Sequence, residues 1–165
     1  MVQEEMTKLI ERLLGFLTIV SFIGVISAVV VQILARYLPY NAVWTEELTR
    51  YFFIFTICFG APLGLLKGEY INVDVILKRI PLKIRKYYEI VIYLLILALS
   101  VVLVMEGLTF TEIGANQLSA TMNFPMSYIH AGFVILGVFL AYFSTIQIIR
   151  LLKNQYNFEQ GYEEE

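Results

Sequence analysis

Long apolar runs alternate with short charged stretches along this chain, and neither a strand-like alternation nor an internal repeat appears. The first run, Leu13 to Ala35, holds 23 residues without a charge. As a helix it is roughly 34 Å long, enough for a hydrocarbon layer of ~30 Å. It exceeds the apolar stretch of a signal peptide, and Arg36-Tyr37-Leu38-Pro39 offers no small-x-small cleavage site, so it reads as a retained helix. The second run, Tyr51 to Leu66, has 16 residues. It reaches spanning length only if the helix starts near Thr45 and carries Glu46, Glu47 and Arg50 in its first turns. Pro62 lies inside it, which membrane helices tolerate. The third run starts at Ile90 and continues through Glu106 to about Ile113, and the fourth covers Met126 to Ile149 with His130 near its start. The pattern predicts an all-α membrane protein with spans at about 13–35, 45–66, 87–113 and 126–149.

Composition agrees. Hydrophobic residues make up 59% of the 165 positions and charged residues 16%, against about 45–50% and 25% in soluble domains. A single short domain cannot bury that much apolar surface in a soluble core. A formal net charge of −2 excludes the basic surface that a nucleic-acid partner requires. One cysteine, Cys58, excludes a disulfide framework and a cysteine zinc site.

Basic residues orient the spans. If both termini are inside, ten of the 12 Lys and Arg lie inside, and only Arg36 and Arg50 lie outside. The expected topology is therefore N-in/C-in, as one domain over residues 1–165, with an acidic cytoplasmic tail at 156–165. The inside loop between spans two and three mixes Ile71, Val73, Val75, Ile76, Leu77 and Ile80 with Asp74, Lys78 and Arg79. That mix predicts a short amphipathic helix on the membrane surface. Lys78, Arg79, Lys83, Arg85 and Lys86 are expected to anchor it and the third span against phospholipid headgroups.

Candidate chemistry is sparse. The sequence holds no zinc-protease, dinucleotide, P-loop or C-x-x-C motif, and His130 is the only histidine. No catalytic residue, metal site or cofactor is expected, and the chain does not read as an enzyme. Counted from Lys86, Glu106 lies 20 residues on, roughly 30 Å along the axis and so at the outer interface. No ionisable group is expected at the bilayer midplane, where self-sufficient transporters usually keep one. Trp44, Glu46, Glu47 and Arg50 form the most suggestive constellation. The i,i+4 and i,i+3 spacings put both acids on the face of Arg50. Either the charges sit among headgroups, or Arg50 is held by a carboxylate within the helix or across a subunit interface. Gly60, Gly64 and Gly68 recur every four residues as a small-residue face, suited to packing inside the bundle or against a second protein.

Trp44-Thr45-Glu46-Glu47-Leu48-Thr49-Arg50-Tyr51 followed by Lys67-Gly68-Glu69-Tyr70-Ile71-Asn72-Val73-Asp74, with Pro81 and Arg85 behind, resembles the small membrane subunit of tripartite ATP-independent periplasmic (TRAP) transporters, the DctQ-like type. The resemblance runs from about Leu13 to Arg150; Tyr70 stands where members often carry His. It implies a non-catalytic subunit of a sodium-coupled importer of organic acids, of the dicarboxylate or sialic acid class, in the bacterial cytoplasmic (inner) membrane. The implied partners are a large TRAP membrane subunit, which this chain would scaffold, and, transiently, a periplasmic substrate-binding protein. The alternative is a small self-associating secondary transporter.

Overall fold

The computed structural model describes residues 2–37, 42–68 and 82–153, the side chains of 2–4 and 82–85 excepted. The predicted amphipathic loop helix, with Lys78 and Arg79, and the acidic tail lie outside the described residues. Among the described residues four helices follow one another: α1 (Val2–Ala35), α2 (Trp44–Leu66), α3 (Leu82–Ala115) and α4 (Ser127–Leu152). All four are long and apolar enough to cross a membrane.

The helices form an open row in the order α1–α2–α4–α3. Extensive contacts join α1 to α2, α2 to α4 and α4 to α3, whereas the remaining pairs barely touch. The chain order is thus broken by α4, which inserts between α2 and α3. Cys58 of α2 packs on Gly132 of α4, and Tyr51 reaches Met126, so these two central helices run parallel. Each carries an antiparallel neighbour on its outer side: Gly60 of α2 meets Thr18 of α1, and Gly107 of α3 meets Val134 of α4.

Lipid tails are as apolar as leucine, so burial alone does not drive helices together here; close packing does. The seams are built accordingly. An ideal Cβ on Gly137 of α4 would stand 3.1 Å from both the Ser100 carbonyl oxygen and the Val104 nitrogen of α3, so helix backbone meets helix backbone. Leu14, Cys58, Leu65, Tyr93, Leu136, Leu140, Phe143 and Leu151 fill the space between the helices. Several hydroxyls inside the spans are satisfied locally, although the buried Ser144 hydroxyl has no hydrogen-bond partner among the described residues. Thr18, Thr56, Ser100, Thr111 and Thr145 each donate to the carbonyl four residues back, which removes unpaired donors from lipid.

Two helices are longer than the apolar runs predict. α1 and α3 have 34 residues each, roughly 50 Å of helix. Gly15 of α1 lies beside Leu63 of α2, so the residues before it run past the end of α2. The pairing of Gly107 with Val134 likewise carries the first turns of α3 beyond the end of α4. Both overhangs sit at the end of the row opposite the 116–126 loop.

Gln147 of α4 pins α2 at that same end. It is 2% exposed, and its Nε2 donates to the Leu66 carbonyl at 2.8 Å. Leu66 is the last residue of α2, where carbonyls have run out of intrahelical donors. Gln147→Leu strands that carbonyl and is expected to cost about 1–3 kcal/mol. Heat-induced exposure of the buried Cys58 thiol to a maleimide dye, in detergent, should begin at a lower temperature in this variant.

Candidate functional site: a carboxylate that holds the connecting loop

The α3–α4 connection, residues 116–126, folds as a miniature hairpin. Ser119 N–H donates to Phe124 O and Met126 N–H to Gln117 O, both at 2.9 Å, and Leu118 bridges Pro125. Asn123 turns the tip at φ 53°, a left-handed conformation that asparagine tolerates better than most residues. The Ser119 hydroxyl accepts from Met122 N–H at 3.0 Å.

This hairpin is tied to α2 by Glu47. One carboxylate oxygen accepts the Ala120 N–H at 3.1 Å and the other the Thr121 N–H at 2.9 Å. The Thr121 hydroxyl and the Tyr51 hydroxyl donate to the same carboxylate. Four donors thus converge on one anion, in the charge-assisted form that makes the strongest hydrogen bonds. Glu47 also lies in the first turn of α2, where the helix dipole favours negative charge. Tyr51 completes the clamp: it is buried, and Phe124 meets its ring edge-on at a centroid distance of 5.4 Å.

The other sequence candidates are placed differently from one another. Trp44 opens α2 and is half-buried, and Glu46 is exposed, its Oε1 accepting a long 3.4 Å bond from Gln32 of α1. Arg50 is exposed, and among the described residues no ion pair joins it to Glu46 or Glu47. The pairing that helix spacing suggests gives way because Glu47 turns to backbone donors with no other acceptor, while Arg50 can hydrate. Gly60 faces the Thr18 methyl, 3.2 Å from an ideal Cβ, and Gly64 is half-buried in α2. Gly68 lies beyond the helix in a turn at φ 75°. Lys83 and Arg85 fall in the first turn of α3 with their side chains outside the described residues, and Lys86 is half-buried.

Residues that sequence reasoning passed over matter as much. The Ala120 amide and Thr121 bind a carboxylate 73 and 74 residues away, and no periodicity signals such a contact. Glu89, three residues after Lys86, is 1% exposed. His130, which the sequence already marks as its only histidine, is buried; its ring stacks on Phe110 at 3.7 Å and its Nδ1 lies 2.9 Å from the Phe110 carbonyl oxygen. Gly114 makes room for that ring, since a Cβ there would stand 2.4 Å from Nδ1. Among the described residues no group of three His, Cys, Asp or Glu side chains could hold a metal ion. The site orders a loop.

Comparison with known proteins gives the arrangement its context. The family model described as "Tripartite ATP-independent periplasmic transporters, DctQ component" matches residues 25–154. A "Putative TRAP transporter small permease protein" of Haemophilus influenzae (strain ATCC 51907 / DSM 11121 / KW20 / Rd) is 24% identical over 146 residues, covering 88% of this chain and 86% of that protein. The "Sialic acid TRAP transporter permease protein SiaT" of Haemophilus influenzae (strain 86-028NP) is 22% identical over 136 residues. That match covers 82% of this chain but only 22% of SiaT, so the chain spans about a fifth of that relative's length. The family match covers most of the chain's length and its four apolar helices agree with it: the chain belongs to the DctQ family, the small permease component of TRAP transporters.

Proposed function

We propose that the chain is the non-catalytic small membrane subunit of a sodium-coupled TRAP importer of organic acids, of the dicarboxylate or sialic acid class, and that it serves as a scaffold for a large transport subunit in the bacterial inner membrane. The observation that carries this reading is the open row. Helices arranged side by side offer two broad faces to neighbours, whereas a solute path needs helices closed around it. A topology with both termini inside, favoured by the basic residues, places the Glu47-held loop in the periplasm. There it lies where a substrate-binding protein arrives, and docking of that protein is a second role the placement supports. Lys86 and the basic residues near it then meet the inner headgroups.

The test is reconstitution. Liposomes containing this chain alone, under an inward sodium gradient and with a binding protein loaded with its organic acid, are expected to accumulate none of it. Liposomes that also contain the large subunit are expected to accumulate it. Uptake by the isolated chain would overturn the proposal in favour of a small self-associating transporter.

A further inference from the structure

Glu106 lies deeper than a count along α3 implies. The count from Lys86 assumes that α3 enters the membrane there, but its first turns run past the end of α4. The helix register supplies a better ruler. A Cβ on Gly107 would stand 3.3 Å from the Val134 nitrogen, so Glu106 is level with Val134 and Ile135. That level is roughly 11 Å inside the Ser127 end of α4. α4 has 26 residues, about 38 Å of helix; a hydrocarbon layer of ~30 Å centred on it starts about 4 Å from each end. The Glu106 backbone therefore lies roughly 7 Å inside the hydrocarbon.

Its surroundings are apolar and open. Glu106 lines a groove of about 340 Å3 on the α3–α4 seam, with Leu103, Phe110 and Ile113 of α3 and Phe133 of α4. Glu106, Phe110 and Ile113 are spaced i, i+4, i+7 and share one helix face. The Glu106 side chain is exposed, and no hydrogen bond or ion pair ties it to any described residue. α3 is an edge of the row, so nothing among the described residues closes the groove from the far side. An ionised carboxylate left against lipid at this depth is costly; ionisable groups inside a membrane almost always face protein or a water-filled cavity and pair with one another.

We propose that the groove receives a transmembrane helix of the large subunit that presents a lysine or arginine to Glu106. The inference rests on the function proposed above and names the face through which that function is exercised. Charge and depth choose the occupant. A lipid ammonium sits at headgroup level, above the carboxylate. Among its described residues, a second, parallel copy of this chain offers no cation at the right height: Tyr51 is level with Met126, so Arg50 lies beyond the end of α4, and the other basic residues of the described helices cluster at the opposite end.

The test uses the full chain expressed together with its large subunit in native-type membranes. A photoactivatable amino acid replaces Thr109 or Ile113 beside the groove, and Ile19, exposed on the other edge helix, serves as control. Crosslinks from both groove positions to the large subunit, with none from position 19, are expected. Glu106→Gln should lower the large subunit recovered by copurification about tenfold, and Glu106→Lys further still, as for a desolvated charge pair that loses one partner. Groove positions that crosslink only to lipid or to a second copy, or a Glu106→Gln variant that recovers the wild-type amount, would overturn the inference while leaving the scaffold reading intact. Failure of the wild-type chain itself to copurify with the large subunit would instead strike the functional reading, and the inference with it.

Discussion

Replacing Glu47 by Ala is expected to release the 116–126 hairpin from α2. The substitution strands the Ala120 and Thr121 amides and the Thr121 and Tyr51 hydroxyls. Water reclaims part of the loss, because Glu47 is only half-buried. A net cost of about 2 kcal/mol or more is expected for four donors deprived of one charged acceptor. Two readouts apply. A protease added to the loop side should cut within 116–126 in the variant and spare the wild type. The dye-detected unfolding of Cys58 should move to lower temperature. Glu47→Gln keeps one carbonyl acceptor and is expected to fall between the two. Arg50→Ala, at an exposed position, should leave both readouts near wild type; equal loss from Arg50→Ala and Glu47→Ala would mean that the arginine holds the loop as well.

The second large effect is expected at Gly137. Its Cα packs onto the α3 backbone between Ser100 and Val104: an added Cβ would meet the Val104 Cγ2 at 2.8 Å and two backbone atoms at 3.1 Å, and the backbone atoms cannot rotate aside. Gly137→Ala forces the helices apart by a few tenths of an ångström, which overpacking precedents put at about 1–3 kcal/mol. Gly137→Leu is expected to separate α3 from α4 altogether and to yield little folded protein in mild detergent. Gly60→Ala is the contrast. Its only near neighbours are side-chain atoms of Thr18, the nearest at 3.2 Å, so a small shift of one residue accommodates the methyl. Size-exclusion profiles of the three variants rank them; an intact, monodisperse Gly137→Leu peak would contradict the seam described here.

Much of the architecture is legible from hydropathy because lipid imposes a length and a composition on each span. Four runs separated by charge leave little freedom about how many helices form. Their lateral order is another matter. All four helices are apolar on every side, so no face announces its neighbour, and the insertion of α4 between α2 and α3 rests on shape at Gly107, Gly114, Gly132 and Gly137. The Gly60-Gly64-Gly68 ladder is periodic, yet its last member is a turn residue, and the tightest contacts come from glycines that form no such ladder, Gly24, Gly114 and Gly137. At Glu47 the local spacing rule pointed to Arg50, and a distant loop with unsatisfied amides proved the better partner. The depth inferred for Glu106 differs from a count along α3 for a related reason: such a count carries no information about how far that helix protrudes beside its neighbour.

The spatial order α1–α2–α4–α3 also bears on how the chain is made. As the polypeptide leaves the ribosome, α1 and α2 can pair at once, but α3 arrives with no neighbour of its own and must wait in the bilayer. Only when the last helix is synthesised can it slot between its predecessors, join the early hairpin to the waiting strand of chain, and bring residues 120 and 121 within reach of a carboxylate laid down some seventy residues before. The final span is therefore the keystone of biogenesis, and the clasp at Glu47 closes last.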